Sequence, residues 1–259
     1  MKYGFIGCGN MGGALAEAVA KVVSPQEIGL SGGKTNKAAD TAARLGATLS
    51  TNREIAAQCR YIFLGVKPAV VSVVLEEIAD LLAERAGEVT VVSMAAGLTI
   101  EELSRQTAGA PVVRIMPNTP VSVGKGIILY TASENVTEDS LAELRQALSA
   151  AGRVDELPEH QMNAGMALTG CGPAYVYMFM EALTDGAVSC GLPRDKAIKY
   201  AAETIRGAAE LALQSGQHPG ELKDAVTSPG GATIKGVYAL EKGGMRGAVI
   251  EAVQKSCGK

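Results

Sequence analysis

Apolar positions over residues 1–156 fall into short runs separated by longer stretches of helical periodicity. Residues 2–6 read as a strand, and after a cluster of glycines the alanine-rich residues 13–23 predict a helix. The alternation then repeats. A strand over 28–30 precedes a helix over 36–45, and the apolar run 61–66 precedes a helix over 70–85. Further strands are expected at 89–93, 112–115 and 127–130, then a helix over 141–151 and a last strand near Val154. Strands alternating with helices imply a mostly parallel sheet covered on both faces.

Beyond Glu156 the pattern changes: Gly and Pro punctuate long Ala, Leu and Met runs, and no β-branched strand stands out. The expected architecture is therefore α/β, with a mostly parallel sheet domain over 1–156 followed by an all-α domain over 157–259. Residues 161–180 carry no charge, a length that could span a membrane. Gly170-Cys171-Gly172-Pro173 interrupts them, which predicts two buried helices joined by a break. Helices near 173–188 and 194–214 are apolar around much of their circumference, more than about 100 residues could bury alone. An intertwined homodimer through this half is expected, with a higher oligomer of dimers left open.

Gly7-Cys8-Gly9-Asn10-Met11-Gly12 satisfies GxGxxG and joins the first strand to the first helix. In that context Gly7 permits a tight turn, Gly9 lets a pyrophosphate approach the backbone, and Gly12 allows close helix–strand packing. The helix start adds N–H donors and positive potential. This is the fingerprint of a Rossmann-type dinucleotide domain. At the end of the second strand, where NAD-specific sites usually carry an acidic residue, the chain reads Ser31-Gly32-Gly33-Lys34-Thr35. Hydroxyls, glycine amides and a lysine in place of a carboxylate suit the 2′-phosphate of NADPH better than the free ribose of NADH. The same segment ends like a P-loop, but that pattern needs glycine where Ile28 stands and follows the second strand instead of the first.

Composition narrows the partners. The 259 residues are 47% apolar, enough for a substantial core, with a net charge of -3 and no massed basic residues. Nucleic acid and membrane surfaces are not expected partners; a small molecule is. The five cysteines, Cys8, Cys59, Cys171, Cys190 and Cys257, are odd in number and widely spaced, which fits a reducing compartment and neither a disulfide framework nor a zinc site. With only His160 and His218, no metal centre is expected. Met1-Lys2 leads directly into a strand, unlike a signal peptide, so a cytoplasmic protein is expected.

A second anion site is indicated by Thr227-Ser228-Pro229-Gly230-Gly231-Ala232-Thr233, which runs into a plausible helix over 234–241. Amides left unpaired at that start, with the Thr233 hydroxyl, would hold a carboxylate. A helix merely capped after a turn fits the same residues.

Leu168-Thr169-Gly170-Cys171-Gly172-Pro173-Ala174-Tyr175, then Gly191-Leu192-Pro193-Arg194, then Asp224 through Thr233, resemble the pyrroline-5-carboxylate reductases. Phe5-Ile6-Gly7, Val66-Lys67-Pro68, Ser93-Met94-Ala95-Ala96-Gly97 and Met116-Pro117-Asn118-Thr119-Pro120 extend the likeness over nearly the whole chain. The resemblance implies hydride transfer from NADPH, or NADH, to the C=N carbon of 1-pyrroline-5-carboxylate, giving L-proline. It also implies that Asn52, Val66, Lys67, Pro68, Ala95 and Ala96 line the cofactor, the last two near the nicotinamide. Ser228, Gly230, Gly231, Ala232 and Thr233 would hold the substrate carboxylate, with Thr233 assisting at the ring nitrogen, and Glu159 would lie close to the active site. Three features depart from the family pattern: Cys171 where serine is usual, Lys34 where arginine is often found, and an end soon after Cys257. Two rival readings share this layout, a β-hydroxyacid dehydrogenase and a non-catalytic NADPH-binding protein. The first expects a lysine within 161–180, where none occurs.

Overall fold

In the computed structural model, which describes residues 1–33 and 35–258, the chain forms two compact units, Met1–Gly170 and the remainder from Cys171. The first unit opens with β1 (Tyr3–Ile6), α1 (Asn10–Val19), β2 (Ile28–Ser31), α2 (Lys37–Leu45), β3 (Thr48–Leu49), α3 (Asn52–Gln58), β4 (Tyr61–Leu64) and α4 (Pro68–Glu84). It continues through β5 (Thr90–Ser93), α5 (Ile100–Ser104), β6 (Val112–Pro117), β7 (Gly126–Ala132), α6 (Glu138–Leu148), β8 (Gly152–Glu156) and α7 (Met162–Thr169). The strands form one sheet in the order β3-β2-β1-β4-β5-β6-β7-β8, parallel except where β7 runs against β6.

Each central strand is buried on both faces, which explains its continuous apolar run. Tyr3, Phe5, Tyr61 and Phe63 enter one core, where Leu15 and Val19 of α1 meet them. Ile6, Ile62, Leu64 and Val91 enter the other, against Val71, Val74, Leu75, Ile78 and Leu82 of α4. That helical spacing of 3, 4 and 7 turns one stripe of α4 to the sheet.

Several elements differ from expectation. Helix α1 starts at Asn10, three residues early, because Gly9 in extended conformation serves as its N-cap. β3, α3 and α5 escape a reading by periodicity, being two, seven and five residues long. Local capping fixes the two helices: Thr51 with Glu54, and Thr99 with Glu102, each form a reciprocal box. The compact units part after Gly170, since α7 buries Met162 against Met116 and Leu129 of the sheet.

The second unit is wholly helical among its described residues: α8 (Gly172–Ser189), α9 (Arg194–Ser215), α10 (Pro219–Ala225), α11 (Ala232–Lys242) and α12 (Met245–Ser256). Helices do form on either side of Gly170-Cys171, with Pro173 in the first turn of α8, where its missing N–H costs nothing. The expectation that both are buried holds for part of α7 only. In α8, Thr184 alone is buried, while Val176, Tyr177, Met178 and Leu183 are exposed, Met178 by 70%. Leu211, Leu213, Tyr238 and Ile250 add to an apolar surface that this unit cannot cover with its own helices. None of the helices described is long and apolar enough to cross a membrane.

At the end of the sheet where its parallel strands begin, Glu143 of α6 gathers Lys2, Arg60 at 3.2 Å and the Tyr61 hydroxyl at 2.7 Å. Burial alone would raise its pKa, but the hydrogen bonds from Lys2 and Tyr61 outweigh that and hold the carboxyl below the ordinary glutamate value. A carboxylate with a lowered folded-state pKa contributes stability above its unfolded-state pKa of about 4.3, and that contribution fades as pH falls through the folded value. Chemical denaturation of Glu143→Gln should show a loss of about 1–2 kcal/mol at pH 7 that shrinks toward pH 3. A loss independent of pH would refute this account.

Candidate functional site

The glycine turn between β1 and α1 is built on close backbone contact. Gly7 has φ +99°, and its N–H donates to the Ser31 carbonyl at 2.9 Å. A Cβ at Gly12 would lie 2.1 Å from the Gly7 carbonyl oxygen, and one at Gly65 would lie 2.3 Å from the same atom. A Cβ at Gly9 would meet nothing within 4 Å, which leaves the side open from which a phosphate would approach. No side chain caps α1 and its first turn holds no acidic residue, so its amides are available to an anion. Burial pushes the Cys8 thiol up to about 11, which keeps it protonated and unreactive at neutral pH.

Ser31 and Asn52, 21 residues apart, meet at the end of β2. The Ser31 hydroxyl donates to the Asn52 side-chain oxygen at 2.5 Å, and the Asn52 amide donates to Glu77 at 2.7 Å. Thr35 lines a cavity of about 430 Å³ together with Gly32, Gly33, Ser50 and Thr51. Lys34 lies outside the described residues. Sequence reasoning passed over Lys37, whose ammonium donates to the Asn10 side-chain oxygen at 3.2 Å and so joins α2 to the glycine turn.

At the end of β4, Gly65 and Val66 lead to Lys67, the extended N-cap of α4, and Pro68 opens the helix. Beyond β5, Ala95 is buried and Ala96 exposed, and the Ala95 N–H donates to the Ser93 hydroxyl at 3.3 Å. Gly7 through Gly12, Ser31, Val66 through Pro68, Ala95 and Ala96 thus stand at or just beyond the carboxyl ends of β1, β2, β4 and β5. Asn52 joins them through Ser31. Strand order reverses between β1 and β4, and the crevice outside such a switch point is where open parallel sheets take ligands.

Glu159 also belongs to this unit. Its carboxylate accepts the Ile100 N–H at 2.6 Å and pairs with Arg114 at 3.4 Å. Arg114 gave no signal in the sequence because it sits within the apolar run of β6. Asn118, one residue of the Met116–Pro120 motif, donates to the Thr169 carbonyl at 3.0 Å and accepts the Ile127 N–H at 2.9 Å, which fixes the end of α7.

In the second unit, Gly230 has φ +70° and Gly231, extended, is the N-cap of α11. The Ser228 carbonyl accepts the Gly231 N–H at 3.1 Å, and a Cβ on Gly231 would lie 2.3 Å from the Ser228 hydroxyl oxygen. The turn is therefore closed on itself. No side chain caps α11 and no acidic residue stands in its first turn, while Ala232 and Thr233 are exposed. His218 is occupied as the N-cap of α10, accepting the Gly220 N–H at 3.1 Å. Among the described residues no cluster of metal-ligating side chains occurs.

Residues 159–259 match the family model described as pyrroline-5-carboxylate reductase dimerisation, and residues 2–97 match that described as NADP oxidoreductase, coenzyme F420-dependent. The pyrroline-5-carboxylate reductase of Methanosarcina acetivorans is 40% identical over 97% of this chain and 94% of its own. That of Escherichia coli is 38% identical over 98% and 95%. A crystal structure of the Plasmodium falciparum pyrroline carboxylate reductase with NADP bound is similar at a TM-score of 0.87 and 34% identity, covering 99% of this chain and 95% of that one. With identity at this level along both units, the chain belongs to the pyrroline-5-carboxylate reductase family.

Proposed function

We propose that this protein reduces 1-pyrroline-5-carboxylate to L-proline with NADPH. The observation that carries the reading is the interlocked glycine turn at the switch point of the sheet, in a chain that matches reductases of this name from end to end. The bound cofactor supplies a hydride to the imine carbon, and the ring nitrogen gains a proton. A protonated iminium is already electrophilic, so the protein's task is positioning.

In this reading Gly7, Cys8, Gly9, Asn10, Met11 and Gly12 hold the pyrophosphate through backbone amides. Ser31, Lys34, Thr35 and Asn52 serve the ribose and its 2′-phosphate, and Val66, Lys67, Pro68, Ala95 and Ala96 line the nicotinamide end. The amides of Gly230, Ala232 and Thr233, with the Ser228 hydroxyl, hold the substrate carboxylate, and Gly231, whose own N–H is spent on the Ser228 carbonyl, shapes the turn that presents them. The Thr233 hydroxyl assists at the ring nitrogen, and Glu159 stands close by. The uncapped start of α11 and its exposed first turn support the carboxylate assignment.

The exposed apolar faces of α8, α9 and α11 support a homodimer through the helical domain over 157–259, since such a surface left in water would cost solubility and stability. The odd, scattered cysteines of the sequence favour the cytoplasm as the place of work.

Thr233→Ala should lower kcat/KM for the imine about 10- to 100-fold, the loss expected when one hydrogen bond to a charged ligand goes, while KM for NADPH stays put. An unchanged kcat/KM would remove Thr233 from the site. Lys34→Ala should erode the preference for NADPH over NADH by about tenfold or more, as measured by the two kcat/KM values. Wild type with no such preference would refute the 2′-phosphate reading. Light scattering should return twice the chain mass or a whole multiple of that dimer, and Met178→Glu should lower the mass to that of a single chain. A monomeric wild type would end the dimer proposal.

A further inference from the structure

Arg114 is the arginine most sealed from solvent among the described residues, its side chain 4% exposed. It stands within apolar β6, beside Ser93 of β5 and Thr131 of β7, both buried. Its Nε–H has no partner, and its contact with Glu159 is a long 3.4 Å. A buried guanidinium held this loosely opposes folding, because one extended ion-pair contact does not offset its lost hydration. The reason for the pair therefore lies in what Glu159 does next.

The same Glu159 oxygen that faces Arg114 accepts the N–H of Ile100, the first residue of α5, at 2.6 Å. That helix start closes the loop leaving β5. The other end of the loop is held where the Ser93 hydroxyl accepts the Ala95 N–H. From Ala95, held at the first anchor, the loop runs through Ala96 and Gly97, the latter at φ +83°, to the second anchor at Ile100.

We propose that Arg114, acting through Glu159, is a positioning residue: it fixes the loop after β5 so that Ala95 and Ala96 hold the nicotinamide at the distance hydride transfer needs. This rests on the reading that the loop lines the nicotinamide. Glu159 then acts through Ile100 without touching the substrate. A loop displaced by about an ångström lowers the rate about 100-fold while leaving the far end of the cofactor bound as before.

The test uses the full-length protein and Arg114→Met, which keeps the apolar volume and removes the charge. Melting temperature, affinity for 2′,5′-ADP, fluorescence of bound NADPH, and kcat with C4-deuterated and ordinary NADPH are compared. Arg114→Met is expected to melt at or above the wild-type temperature and to bind 2′,5′-ADP unchanged. Its bound NADPH should lose fluorescence enhancement, kcat should fall about 10- to 100-fold, and the isotope effect on kcat should rise. Arg114→Lys should restore part of the rate. A lower melting temperature with kcat unchanged would make the pair purely structural and overturn the proposal, as would equal losses in 2′,5′-ADP binding and kcat. If Arg114→Met does not fold, Glu159→Met, which removes the acceptor of the Ile100 N–H at a side chain 35% exposed, is held to the same outcomes. A wild type that binds NADPH without reducing the imine would sink the reaction proposed above, and the fluorescence comparison would still decide the role of Arg114. No binding of NADPH at all would overturn both.

Discussion

The Gly7 carbonyl oxygen is approached from two sides, by Gly12 at the start of α1 and by Gly65 at the end of β4, at distances no side chain could share. That contact brings the first helix, the first strand and the fourth strand together at one corner. It also sets the crevice: β1 and β4 are neighbours whose following helices cover opposite faces of the sheet, so their carboxyl ends open outward between two layers. The uncapped amides of α1 face this opening because Gly9, in extended conformation, ends the turn without a side chain.

The rest of the first unit can be understood as support for that corner. The stacked pairs Tyr3–Tyr61 and Phe5–Phe63 hold β1 against β4 on one face, with ring centroids 5.4 and 4.4 Å apart. On the other face α4 lies along the sheet, and the Arg85 guanidinium near its end donates to the carbonyls of Ala56 and Cys59, satisfying acceptors at the end of α3. Polar groups inside the unit are few and mostly paired, so the loosely held Arg114 stands out against its surroundings.

The second unit follows a different logic. Its helices are long enough to persist, but they bury only Thr184, Ala197 and Ala201 among themselves. Stability in such a unit comes from whatever covers its apolar faces, which is the physical sense of a matched dimerisation domain.

Periodicity along the chain determined the alternation of strands and helices, the change to helices after residue 156 and the glycine turn, since each depends on neighbours within a few residues. The T-x-x-E boxes at Thr51 and Thr99 stand in the sequence but went unread, because the helices they start are too short to announce themselves by pattern. Gly65, the Ser31–Asn52–Glu77 chain and the Arg114–Glu159–Ile100 chain were not. Each joins residues 20 to 60 positions apart, or, for Gly65, owes its meaning to a carbonyl 58 residues earlier. A local pattern carries no trace of such pairs, because strand order alone decides which segments become neighbours. Sequence by itself determined which groups are available for chemistry; tertiary structure decided which of them hold one another in place, since that depends on distances no single segment contains.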